Sequence, residues 1–284
     1  MTTVALAPLK IGSQEHKELL CSFFIDSHDP YKPAELAWPD LDEPALQKLR
    51  ALPIWNEALS TEAQTARAVL AMGEDEKDPV LAKAITLQGL EEQRHADVLR
   101  MMVDRYHLPV APYTTERPAD PNWAFMRIGY GECFDSFFAF GLFALARDSG
   151  FFPPALVKLF EPIMAEEGRH IVFHVNWVAY NQAQLPYAGR PQYVFKRGLA
   201  MWLQVLSRVK TALKVKGETD KQDNFTMNAH AQFGDVTPRE FLELCLRENE
   251  RRLAPYDPRL LRPQLVPSIA RTVLATLPRR SSQN

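Results

Sequence analysis

Apolar residues recur at helical spacing through most of the chain and nowhere alternate with polar ones long enough for a strand, which predicts an all-α fold. A first helix is expected from 44 or 53 to about 72, ahead of the breaking stretch "GEDEKDP". A second starts at Pro79, where a missing N–H costs little, and runs to Tyr106. After the linker "HLPVAPYTTERPADP", a third spans 122–147 and a fourth 154–180. A fifth, 192–215, carries the stripe Val194, Leu199, Trp202, Leu203, Leu206 and Val209. A sixth is capped by Thr237, and a short last helix precedes a frayed "PRRSSQN". Residues 1–43 are rich in Pro and Asp and read as an irregular lead-in; 44–284 read as one domain, with its core over 53–180 and additional helices over 192–277.

The second and fourth helices repeat one another. "PVLAKAITLQGLEEQRH" aligns without a gap on "PALVKLFEPIMAEEGRH", 75 residues later, sharing Pro, Leu, Lys and an EExRH block. A helix–turn–helix unit used twice suggests a four-helix bundle with pseudo-twofold symmetry.

The repeated block matters because of the face it occupies. At about 100° per residue, Glu92 and His95 share a sector with Leu81, Ile85, Leu99 and Val103, while Gln93, Asp97 and Arg100 lie opposite. Glu167 and His170 likewise share one with Leu156, Phe160, Ile163, Ile171 and Val178. Both ExxH pairs therefore point into the core, where an unpaired carboxylate costs several kcal/mol. Arg94 and Arg169 are adjacent in sequence but fall off the apolar stripe. Buried acids of this kind either pair with Arg or His or, where two carboxylates and two imidazoles converge in a dry core, can be neutralised by a divalent metal. Oxygen and imidazole ligands suit iron or manganese, and no nearby thiolate favours zinc.

A two-metal site needs carboxylates from the other helices too. Glu132 stands mid-helix among Phe125, Ile128, Phe134, Phe137 and Phe138. On the first helix two arguments disagree. The repeat register favours Glu57, 75 residues before Glu132; the helical face favours Glu62, which shares a stripe with Trp55, Leu59, Ala66, Val69 and Leu70. Loops tolerate inserted residues and buried faces do not tolerate orphan charge, so Glu62 is the choice. His174, one turn beyond His170 on the same stripe, has Leu99 as its counterpart and is either a further ligand or a core histidine.

The ordered set Glu62, Glu92/His95, Glu132 and Glu167/His170 resembles the ferritin-like di-iron carboxylate superfamily. The EExRH blocks are similar to those of its oxygenase branch, which includes arylamine N-oxygenases and the α subunits of bacterial multicomponent monooxygenases. The resemblance implies two iron ions (manganese or a mixed pair also fits), O2 as co-substrate and a small or medium organic substrate. It also implies that Glu91 and Glu166, with Arg94 and Arg169, orient the histidines. No reductase motif is present, so a separate electron donor is expected, and a homodimer is allowed. Iron storage, or a metal-binding scaffold without catalysis, are the alternative readings.

Composition adds exclusions. The 284 residues carry a net charge of −2, which offers nothing to nucleic acid or an anionic membrane. The apolar run 137–146 is too short to span a bilayer, and the N-terminus does not read as a signal peptide. Cys21, Cys133 and Cys245 form no CxxC, which suits a reduced cytoplasm.

Overall fold

The computed structural model describes residues 8–52, 54–217 and 236–278. Among these residues the chain is all-α. The helices are α1 (Gln14–Asp26), α2 (Glu43–Arg50), α3 (Trp55–Asp75), α4 (Pro79–Tyr106), α5 (Pro121–Ser149), α6 (Pro154–Lys158), α7 (Glu161–Gln184), α8 (Arg190–Gly217), α9 (Pro238–Leu253) and α10 (Leu265–Thr276). The expected frayed end after Pro278 lies outside the described residues.

Four long helices position the site. α3 packs on α4, α4 on α7, α7 on α5 and α5 back on α3, closing a ring of contacts. The first hairpin is tight because Gly89 meets the α3 backbone: a Cβ there would lie 2.9 Å from the Leu70 N. Asp78 caps α4 through the Val80 and Leu81 amides, with Pro79 at the first position. The linker after α4 runs the length of α3. Ala111 N donates to Asn56 Oδ1 (3.0 Å), Gln64 and Glu116 exchange two hydrogen bonds, and Arg117 reaches Asp75 at 2.7 Å. That return path lets α5 start near the end of α3.

α5 is apolar on nearly every side because it has neighbours on nearly every side: α3, α7, α8, α9 and α10 all pack against it. By length and composition it is long and apolar enough to cross a bilayer, but 61% of that stretch is buried inside the protein. The expectation from the sequence counted only the uninterrupted run 137–146.

Two expectations need correction. The lead-in is not irregular throughout: Ser13 caps α1, whose Leu20, Cys21 and Phe24 are fully buried against the core, and α1 packs on α4 and α7. His16 Nε2 pairs with Asn176 Oδ1 at 3.0 Å and anchors it to α7. Of the two starts expected for the first helix the later one holds: α3 begins at Trp55, and Glu43–Arg50 forms a separate helix, α2. The fourth expected helix is two: Pro162 has no N–H to bond back to Lys158, so the helix breaks at Leu159–Phe160 before restarting.

The fifth helix is present but rotated from the expected orientation. Of its apolar stripe, Val194, Leu199 and Trp202 are exposed, Leu203 and Leu206 are half-buried, and the Val209 side chain lies outside the described residues. The inward side holds Tyr193, Arg197, Ala200, Gln204 and Arg208 instead. The fold offers this helix polar partners: Arg197 Nε donates to Tyr130 Oη at 3.1 Å and Gln204 Nε2 to the Arg127 carbonyl at 2.7 Å.

Candidate metal centre

α3 contributes Glu62, α4 Glu92 and His95, α5 Glu132, and α7 Glu167 and His170. The structure gathers these six into two groups. Ligand atoms of Glu62, Glu92, His95 and Glu167 lie within 4.8 Å of one another, as do those of Glu92, Glu132 and His170. Glu92 belongs to both. His95 Nδ1 stands 3.6 Å from Glu62 Oε2, 3.7 Å from Glu92 Oε2 and 3.4 Å from Glu167 Oε1. His170 Nδ1 stands 2.9 Å from Glu92 Oε1. Glu57, the alternative on α3, is exposed and joins neither group.

Glu167 Oε2 accepts from Ser136 Oγ at 3.1 Å, but several atoms that face inward are left without hydrogen bonds. Both Glu132 carboxylate oxygens, Glu92 Oε1, His95 Nδ1 and His170 Nδ1 are buried and unpartnered. Although His170 Nδ1 is close to Glu92 Oε1, the two do not align as a hydrogen bond. Buried polar groups are normally satisfied. A cluster of orphaned atoms that are all good ligands for hard or borderline cations fits metal. The donor set is four carboxylates and two imidazoles, so two divalent ions would balance its charge. The cysteines are free and buried, and none joins either group.

The outward ring nitrogens are held crosswise. Glu166 of α7 accepts from His95 Nε2 of α4 at 2.8 Å and from Arg94 Nη2 at 2.5 Å. Glu91 of α4 accepts from His170 Nε2 of α7 at 2.9 Å and from Arg169. With a cation in place each imidazole would keep its one proton on Nε2, leaving the Nδ1 lone pair for the interior. Arg94 and Arg169 do lie off the ligand stripe, as the helical wheel requires, but they are 8% and 6% exposed, not solvated.

The segment after α1 covers them. Arg94 stacks on the Tyr31 ring at 4.4 Å, Arg169 lies over Phe24 and donates to Ser27, and His28 Nδ1 meets Glu91 Oε1 at 2.5 Å. These covering residues were not found from the sequence. The available signal was the apolar spacing Leu20, Cys21, Phe24 behind a Ser cap.

Without cations the carboxylates and imidazoles share protons. Burial pushes Glu132 well above the ordinary carboxylate range, reinforced by Glu92 and Glu167. Burial also pushes Glu62 up to about 7 against the pull of His95. Its side chain remains 27% exposed, so water screens part of that rise. Burial raises Glu167 too, but His95 and His170 outweigh it and hold the group low. For His95 and His170 burial works against protonation, yet the surrounding carboxylates win and both are raised well above the usual imidazole range. The site is closed at its histidines, which are fully buried, and most open at Glu62.

His174 is in neither ligand group. Its ring lies directly against α5, where a Cβ at Gly129 would sit 1.9 Å from Nδ1. Tyr130 meets it edge-on at 4.9 Å and Phe125 at 5.8 Å. Both its nitrogens lack hydrogen-bond partners, and burial, aided by Arg197, pushes it down to about 3. The structure places it as an aromatic-caged neutral imidazole one turn from the centre.

Compared with known proteins, the chain matches no family model, no curated protein and no solved structure.

Proposed function

We propose that this chain is a non-haem di-iron oxygenase of the ferritin-like type, which uses O2 to oxidise a small or medium organic molecule. The observation that carries the reading is the pair of ligand groups sharing Glu92, contributed by four helices and built around two copies of one EExRH block. Two iron ions held there would supply the electrons and Lewis acidity for O2 reduction that no side chain provides. Manganese, or one ion of each, fits the same donor set.

The residues have separable tasks. Glu62, Glu132 and Glu167 would neutralise the ions, with Glu92 common to both. Glu91 and Glu166 fix the tautomer of His170 and His95, so that Nδ1 and not Nε2 faces the interior. The partly open edge at Glu62 is the side from which O2 and substrate reach the centre. Electrons come from a separate donor. Hydroxylation and N-oxygenation are both within this chemistry.

The test has two stages. Anaerobic Fe²⁺ loading followed by elemental analysis should give about two ions per chain. The loaded protein, mixed with O2 and a panel of aromatic and aliphatic substrates, should release an oxygenated product detectable by mass spectrometry. Failure to bind metal overturns the centre itself. Two bound ions that only oxidise and accumulate further iron, with no organic product, assign the chain to iron storage instead.

A further inference from the structure

α8 is amphipathic in the reverse sense, and its outward face has a definite chemistry. Toward the body it spends its polar groups: Arg197 on Tyr130 and Gln182, Gln204 on the Arg127 carbonyl, Arg208 on Asp135. Toward solvent it presents Val194 (50% exposed), Phe195 (69%), Leu199 (36%) and Trp202 (57%). Contiguous apolar surface of this kind marks a site of interaction.

Charge says what covers it. From Arg190 to Gly217 the helix holds no aspartate or glutamate, and while Arg190, Arg197 and Arg208 are bonded to groups on the body, Lys196 and Lys210 remain free of such bonds among the described residues. At about 100° per residue, Lys196 and Lys210, both exposed, fall on one flank of the Phe195–Trp202 stripe. A second copy of α8 laid against this face would bring further cations and no acid to pair them. A protein groove would need to be both apolar and anionic along several turns. A bilayer containing anionic lipid supplies both at once: an acyl boundary for the aromatic rings and phosphates for the flanking ammonium groups. The whole-chain charge of −2 hides this local excess, because the acids lie elsewhere in the sequence.

We propose that α8 docks this protein on an anionic membrane surface, with Phe195, Leu199 and Trp202 inserted at the headgroup level and Lys196 and Lys210 on lipid phosphates. A further exposed apolar face lies on α10, where Leu265, Ile269 and Val273 are 45%, 47% and 39% exposed. The proposal stands whether or not the metal centre is an oxygenase.

The experiment uses the full chain and sedimentation with vesicles of phosphatidylcholine alone or mixed with phosphatidylglycerol. Wild type should co-sediment with the mixed vesicles, poorly with the neutral ones, and less in high salt. Phe195→Glu combined with Trp202→Glu should weaken binding to mixed vesicles by about tenfold or more, and Lys196→Glu with Lys210→Glu should abolish the preference for phosphatidylglycerol. Melting curves check that both variants stay folded. The lipid and salt dependence of wild type decides the matter even if one variant does not fold. Three results overturn the proposal. One is wild type that stays in the supernatant with mixed vesicles. Another is binding that ignores lipid charge. The third is a dimer by light scattering that Phe195→Glu with Trp202→Glu splits while vesicles bind nothing, which assigns the face to a second copy.

Discussion

Glu91 on α4 accepts a 2.9 Å hydrogen bond from Nε2 of His170 on α7, and so fixes the orientation of an imidazole that belongs to the opposite helix. Burial raises the Glu91 carboxyl, but His170 and Arg169 outweigh it and hold the group well below the usual carboxylate range. The acid therefore stays ionised and acts as an acceptor across the working pH range.

Glu91→Gln and Glu166→Gln keep the shape and remove the charge behind each imidazole. Each should lower metal affinity by about 10–100-fold, since outer partners of ligating histidines typically have that effect. Chelator competition measures it. Unchanged affinity in both variants would mean the crosswise bonds are structural only.

On α3, Glu62→Ala should cost bound metal, because its carboxylate stands 3.6 Å from His95 Nδ1 inside a ligand group. Glu57→Ala, on the solvent side of the same helix, should leave metal content intact and change stability by less than about 0.5 kcal/mol. Elemental analysis of the two variants compares the helical face with the repeat register directly, and metal loss from Glu57→Ala would reverse the assignment.

The metal-free protein should lose stability as pH rises. Glu62 and Glu132 hold protons in the folded state that the unfolded chain releases above its ordinary carboxylate range, so each weakens the fold as pH climbs toward about 7 for Glu62 and beyond for Glu132. His95 and His170 act in the same direction: their contribution is complete below the unfolded value of 6.5 and is lost as pH passes through their raised values. Bound cations replace these protons. Thermal melts at about pH 6 and about pH 8 should therefore show a falling midpoint for metal-free protein and a much flatter one after loading. Equal slopes would sink the account.

His174 has the opposite sign. Held down to about 3, it is neutral in the fold while the unfolded chain protonates it below 6.5, so it withdraws stability as pH falls. His174→Leu places there the residue type found at the equivalent position, Leu99. It should keep both ions and lessen the acid-side loss by up to about 1.4 kcal/mol per pH unit. Urea melts across the acid range report it. Loss of metal from this variant would instead make His174 part of the centre.

The sequence displayed the candidate ligands better than their surroundings. Glu62, Glu132 and the two ExxH pairs were legible because a carboxylate on an apolar helical face has few explanations. The paired acids and arginines around them were legible only through the family resemblance, since Arg94 and Arg169 look solvent-facing on a single-helix projection. They are buried because α1 and the Ser27–Tyr31 stretch cover them, and no local pattern announces a cover that comes from 60 or more residues away. α8 misled for the same reason in reverse. An apolar stripe shows that a face will be covered, but not by what, and here the inward partners Tyr130, Gln182 and Asp135 selected the polar side.

The crosswise bonds carry a consequence for how the two halves of this chain depend on one another. A lone copy of the repeated unit has an acid with no imidazole to steer and an imidazole with no acid to steer it. Neither half is a weaker version of the whole; each is a lock holding the other's key. Cutting the chain between α4 and α5 should therefore yield two fragments that are inert apart, and whatever activity the intact chain has should return only when they are mixed.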